Sequence, residues 1–117
     1  MLDMSPTTYR TEMSGNVAVI SCSGPITFGL QSTELHVRVK ELLSEGHRVV
    51  LNMSQVPAMD SSGIGTLFAI YTSTLNSESK LALAGLTPHV LEVLTITKAL
   101  SLIESYPDVG AAVKAMA

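Results

Sequence analysis

The chain has 117 residues, which suits one domain and leaves little room for a second. Hydrophobic residues make up 46% and charged residues 15%, a composition that excludes a disordered chain and supplies enough apolar surface for a real core. The net charge of −3 comes with no basic block, which argues against nucleic acid as a direct partner.

Cys22 is the only cysteine, so an internal disulfide and a cysteine-built zinc site are both excluded. Its neighbours alternate apolar and small, the setting of a packed thiol and not of a nucleophile. The N-terminus shows no charged-then-apolar signal pattern, and no apolar run approaches the roughly 20 residues that span a bilayer. These features lead us to expect a cytoplasmic, soluble protein with no membrane insertion.

In chain order, Thr7–Met13 and Asn16–Cys22 read as paired strands joined by the turn residues Ser14-Gly15-Asn16. Val17 and Val19 face one way and Ala18 and Ile20 the other, so the second strand is expected inside the sheet. Gly24-Pro25 ends it. Residues 28–46 read as a helix with Leu35, Val39, Leu42 and Leu43 inward, stopped at Gly46. His47–Leu51 is the next strand, and the crossover helix before it is compatible with a parallel, right-handed unit.

A polar connection is expected from Asn52 to Met59, followed by a helix over Ser61–Asn76. Ile64, Leu67, Phe68, Tyr71 and Leu75 would form its inward stripe. The other side, Ser62, Thr66, Ala69 and Ser73, is small, and no charged residue occurs between Asp60 and Glu78. Periodicity leaves two explanations open: both sides are covered by the protein's own fold, or one is a docking face, since interface cores are depleted in charge. Lys80–Ala84 reads as a strand and His89–Thr97 as a helix with Val90, Leu91 and Leu94 inward. Leu100–Ile103 follows as a short edge strand. A last helix after Pro107 carries Val109, Ala112, Val113 and Met116 on one face. Strands and helices alternate after the opening hairpin, which defines the class as α/β with a mixed sheet.

For catalysis, Ser61 and Ser62 are candidate nucleophiles, and His36, His47 and His89 are the only candidate histidine bases. None of the histidines sits in a hydrolase setting, and the G-x-S-x-G elbow is absent because Met59 and Asp60 precede the serines. Gly63-Ile64-Gly65 is an incomplete phosphate loop: Phe68 occupies the third glycine position and no Walker-type lysine follows. Three scattered histidines give no metal spacing. The reading is of a protein that is not itself an enzyme and needs no cofactor.

Asp60-Ser61-Ser62 opens the central helix, where unpaired N–H groups and a partial positive charge favour hydroxyls and phosphates. A helix cap explains one of these residues. It leaves a second hydroxyl, and Gly63, without a role. An exposed serine modified by a kinase would account for the hydroxyl, since a phosphate adds roughly −1.5 to −2 charge to an otherwise neutral face. Gly63 would let another backbone, or an incoming kinase, approach closely. The residues alone do not choose between Ser61 and Ser62.

The run Val49-Val50-Leu51-Asn52-Met53-Ser54, followed by Met59-Asp60-Ser61-Ser62-Gly63-Ile64-Gly65, resembles the signature of STAS domains, and more narrowly of bacterial anti-sigma factor antagonists. The resemblance covers nearly the whole chain. It implies a single STAS-like domain over residues 1–117, with a mixed sheet of four to five strands and about four helices. It also implies a regulator of sigma-factor-dependent transcription whose partners are an anti-sigma factor that is also a serine kinase, and a phosphatase that removes the phosphate. The phosphorylated residue carries over to Ser61. The docking patch carries over to Gly24, Thr27, Met59, Asp60, Ser61, Ser62, Gly63, Ile64, Thr66 and Leu67.

One departure stands out. Many relatives carry an acidic residue after the second strand, whereas here the run is Gly24-Pro25-Ile26-Thr27. An alternative within the same family is a constitutive scaffold subunit of a signalling or lipid-transport assembly, in which Ser61 only starts the helix.

Overall fold

A computed structural model describes residues 7–26, 30–77 and 79–117. The chain opens with a hairpin, β1 (Thr8–Ser14) and β2 (Val17–Ser23), turned by Gly15 with φ 61° and Asn16. A glycine with positive φ at the first of two turn positions matches the right-handed twist of the flanking strands. Three crossovers follow: α1 (Leu30–Ser44) leads to β3 (Arg48–Gln55), α2 (Ser61–Leu75) to β4 (Leu81–Ala84), and α3 (Pro88–Ile96) to β5 (Glu104–Tyr106). The last element is α4 (Val109–Met116). The five strands lie in sequence order, with β1 antiparallel to β2 and every other pair parallel. This is the mixed α/β sheet with four helices expected from the alternation of elements.

The two faces of the sheet carry different cores. Ile20, Leu51 and Leu83 belong to the larger one, with Leu35 and Val39 of α1, Leu67 and Ile70 of α2, and Val90 and Leu94 of α3. Val17, Val19, Val50, Ala82 and Ala84 form the other with Ala112 and Met116 of α4. β2 contributes fully buried side chains to both faces, which is why it sits inside the sheet. The Arg48 guanidinium donates to the Met116 carbonyl at 2.5 Å, satisfying an orphan acceptor at the end of α4 and tying that helix to β3. Cys22 is buried, and burial pushes its thiol up to about 12, consistent with a packed residue.

Several expectations need correction. β3 continues to Gln55 instead of ending at Leu51, because Met53 is fully buried and the Asn52 side chain stitches the strand. Asn52 donates from Nδ2 to Ser21 Oγ (3.2 Å) and accepts from Ser54 N–H (3.2 Å) and Ser54 Oγ (2.9 Å). The first helix is described from Leu30; Phe28 lies outside the described residues.

The inward stripe of α2 is Gly63, Leu67, Ile70 and Thr74. Ile64, Phe68 and Tyr71 are only half-buried, and Leu75 is 65% exposed. Leu91 of α3 is likewise 44% exposed. The final strand is not Leu100–Ile103: Lys98 adopts a left-handed conformation (φ 62°), Ala99–Ser101 form a 3-10 turn, and pairing begins at Glu104. It is still an edge strand, as expected.

Candidate helix-start site

The site is built where the β2–β3 pairing runs on beyond the strands. Gly24, with φ 114°, donates its N–H to the Gln55 carbonyl at 2.9 Å, and Ile26 donates to Ala58 at 3.1 Å. Ile26 and Met59 form an isolated parallel bridge, and Asp60 N–H reaches the Ile26 carbonyl at 3.4 Å. Residues 24–26 and 55–60 therefore travel side by side to the start of α2. Thr7 Oγ donates to the Pro25 carbonyl at 2.6 Å and holds the outer side of the loop.

Asp60 is the N-cap of α2. Its backbone is extended (φ −100°, ψ −174°), and its Oδ1 accepts from Gly63 N–H at 2.9 Å. Ser61 is the first helical residue and Ser62 the second, and both are exposed. Among the described residues neither hydroxyl takes part in a hydrogen bond as donor or acceptor. The first N–H groups of a helix have no partner within it, so the end of α2 beside Ser61 carries a partial positive charge and free donors.

Gly63 is explained from within the fold. A Cβ there would sit 2.1 Å from the Ile26 carbonyl oxygen and 2.8 Å from Met59 Cγ. The close approach is made by another backbone, that of the chain's own loop, which is the first of the two approaches expected at this glycine; the space is not left for an incoming kinase. Met59, Gly63 and Leu67 are buried and offer a partner no side chain; they support the patch from beneath. Asp60, Ser61 and Ser62 remain at the surface, and Ile64 and Thr66 are half-exposed beside them, as is Gly24. Thr66 Oγ donates to the Ser62 carbonyl at 3.1 Å. Thr27, also expected in the patch, lies outside the described residues.

The small side of α2 is covered by the protein itself in part. Thr66, Ala69 and Ser73 are half-buried, and Ser73 Oγ lies 3.4 Å from His36 Nε2 on α1. The exposed residues of α2 are Ser61, Ser62, Gly65, Thr72 and Leu75, equally free of charge. His36 meets α2 at Ser73, twelve residues and about 18 Å of helix from Ser61. His47 contacts Glu45 (3.6 Å) and Asn16 (3.1 Å), and His89 is exposed at the start of α3. No histidine is placed to activate either serine. Among the described residues no cluster of His, Cys, Asp and Glu could hold a metal ion, and no helix is long and apolar enough to cross a membrane.

The ground under Ser61 is solid core and not a ligand cavity. The larger hollows lie elsewhere, one of about 370 Å³ between β1 and α1 and one of about 420 Å³ between α1 and the end of α2. What remains at Ser61 is an exposed hydroxyl at a helix start, beside the exposed Asp60 and on a helix whose residues 61–75 carry no charge.

A mixed sheet opened by an antiparallel hairpin, with this loop-braced helix start, defines a class of small single-sheet α/β domains. Residues 8–112 match the STAS domain family, and the chain belongs to it. No curated protein sequence matches the chain.

Among solved structures, it is similar to an anti-sigma factor antagonist from Mycobacterium paratuberculosis (19% identity, 99% of this chain and 98% of that one, TM-score 0.82). It is also similar to the phosphorylated form of the Bacillus cell fate determinant SpoIIAA (15% identity, 92% and 99%, TM-score 0.71). A third likeness is to a sulfate transporter family protein from Wolinella succinogenes (18% identity, 85% and 83%, TM-score 0.69). At these identities the likeness is one of fold.

Proposed function

We propose that the protein is an anti-sigma factor antagonist switched by phosphorylation of Ser61. Unmodified, it binds an anti-sigma factor that is also a serine kinase, and so regulates transcription by the sigma factor that partner holds. Phosphorylated, it is released, and a phosphatase returns it to the binding form. The observation that carries this reading is the exposure of Ser61 as the first residue of α2, on a helix free of charged residues from 61 to 75, with no hydrogen bond to its hydroxyl among the described residues.

The physical logic is differential. The helix start tolerates a phosphate within the folded protein, because free N–H groups and the helix dipole offset part of its charge. A partner seated on the neutral surface has to desolvate that charge beside Asp60, and loses contact. Modification thus changes binding without unfolding the domain. The test is to isolate the protein with its partners from its source cell and map phosphate by peptide mass spectrometry. Phosphate on Ser61, with a kinase recovered only alongside the unmodified form, supports the proposal. Phosphate elsewhere, or a partner bound equally to both forms, refutes it.

A second reading has a specific observation behind it. The Gly24-Pro25-Ile26-Thr27 run lacks the acid that many relatives place there for the kinase contact. A scaffold subunit, docked permanently through the same surface and never phosphorylated, accounts for that absence.

A further inference from the structure

We propose that the outer edge of β1, uncovered among the described residues, pairs with β1 of a second copy of this chain, antiparallel about a two-fold axis through Thr11.

The main chain decides which groups of β1 are available. The Asn16 carbonyl accepts from Arg48 N–H at 3.2 Å, and Gly24 N–H donates to Gln55 at 2.9 Å. Even-numbered positions along β2 therefore aim their main-chain groups at β3, and odd-numbered ones aim at β1. Opposite those odd positions the register places Thr8, Arg10, Glu12 and Ser14. The N–H and C=O groups of Tyr9, Thr11 and Met13 are left pointing out of the sheet edge, where no described element covers them.

An antiparallel partner has to meet these three odd positions with odd positions of its own. For a second copy this leaves few registers, and the side chains select one. Centred on Thr11, Tyr9 faces Met13 of the copy, Thr11 faces Thr11, and Arg10 faces Glu12 in both directions. All three outward residues then exchange main-chain hydrogen bonds. Moving the axis one residue toward the N-terminus puts Arg10 against Arg10; moving it one residue the other way puts Glu12 against Glu12. Opposite charges directly across a strand pair stabilise it and like charges destabilise it, so the sequence Thr8-Tyr9-Arg10-Thr11-Glu12-Met13-Ser14 is complementary to itself in one register only.

Exposure agrees with an occupant on this edge. Arg10 and Glu12 already approach within 3.3 Å of each other in one chain, with highly exposed side chains free to engage a copy. On the opposite face of the strand Met13 is 50% exposed beside the edge, and pairing would set it against the Tyr9 ring of the copy. Val37 of α1, 51% exposed, lines the hollow between α1 and Tyr9 on this same flank. The product is one sheet continuous across two copies, with no edge left at β1.

The test is sedimentation equilibrium of the full chain at low salt, from tens of micromolar to about a millimolar protein. The wild type is expected to form a reversible dimer. Arg10→Glu and Glu12→Arg each place like charges across the axis, and each is expected to weaken self-association on the order of tenfold. Mixed together, these two variants restore complementary pairs and are expected to associate with one another, as is the double swap R10E/E12R with itself. Both positions are at the surface, and circular dichroism confirms that the variants fold. A wild type that stays monomeric overturns the proposal and leaves the edge to another protein's strand. A dimer indifferent to the single reversals, or not rescued by mixing, overturns it as well.

Discussion

A side chain on Gly63 would place its Cβ 2.1 Å from the carbonyl oxygen of Ile26. This contact locks the start of α2 to the loop leaving β2, so Ser61 is presented at a fixed height above the sheet. Replacing Gly63 with Ala forces either the helix or the loop to move, and overpacking of this kind costs about 1–3 kcal/mol. Gly65, two residues on, has nothing within 4 Å of its Cβ position and sits on the exposed side of the same helix. Gly65→Ala is expected to stabilise by about 1 kcal/mol through helix propensity. Urea unfolding of the two variants checks the pair; equal effects would contradict the contact.

Asp60 caps the helix through Gly63 N–H, 2.9 Å from its Oδ1. Asp60→Ala removes that acceptor and is expected to cost about 1 kcal/mol, while Asp60→Asn keeps most of the stability. Amide hydrogen exchange at Gly63 should quicken in the alanine variant and stay slow in the asparagine variant.

Burial raises two acids whose neutral forms the fold prefers. Desolvation pushes the Cys22 thiol up to about 12 from an ordinary value of 9.0. Desolvation does the same to Tyr9, helped by the nearby charges of Cys22 and Glu34, taking it to about 12 from 10.0. The unfolded chain gives up these protons first, so the folded state holds more protons between about pH 9 and pH 12. Stability is therefore fully present below pH 9 and declines as pH rises through that window. Urea midpoints measured from pH 8 upward check this, and Cys22→Ala is expected to flatten the decline. Native Cys22 should also resist alkylation at pH 8, where the unfolded chain reacts.

Much of the architecture was legible because it follows from alternation. Val17, Ala18, Val19 and Ile20 are apolar on both faces, and the strand they form is interior; Asp60-Ser61-Ser62 reads as a helix start, and it is one. The misses have physical causes. Leu75 and Leu91 fit helical periodicity but face solvent, because periodicity gives a stripe and not the direction of the sheet beneath it. Leu100–Ile103 looks like a strand, yet the left-handed Lys98 turns the chain into a 3-10 segment first. Gly63 was visibly costly in a helix and read as a place where another backbone could approach; that the backbone is the Ile26 carbonyl leaves no mark in a sequence. The exposure of both Ser61 and Ser62 leaves the choice between them where the residue pattern left it, with the family resemblance pointing to Ser61.

The most direct test of the proposed Ser61 switch is titration of the purified chain against the partner kinase that the proposal requires, recovered with it from its source cell. Binding should be lost by tenfold or more in Ser61→Asp, through the charge it adds at the helix start, and retained in Ser61→Ala. With ATP present, the kinase should phosphorylate Ser62→Ala and leave Ser61→Ala unmodified. Unchanged affinity of Ser61→Asp, or phosphate appearing on the Ser61→Ala chain, would contradict the account.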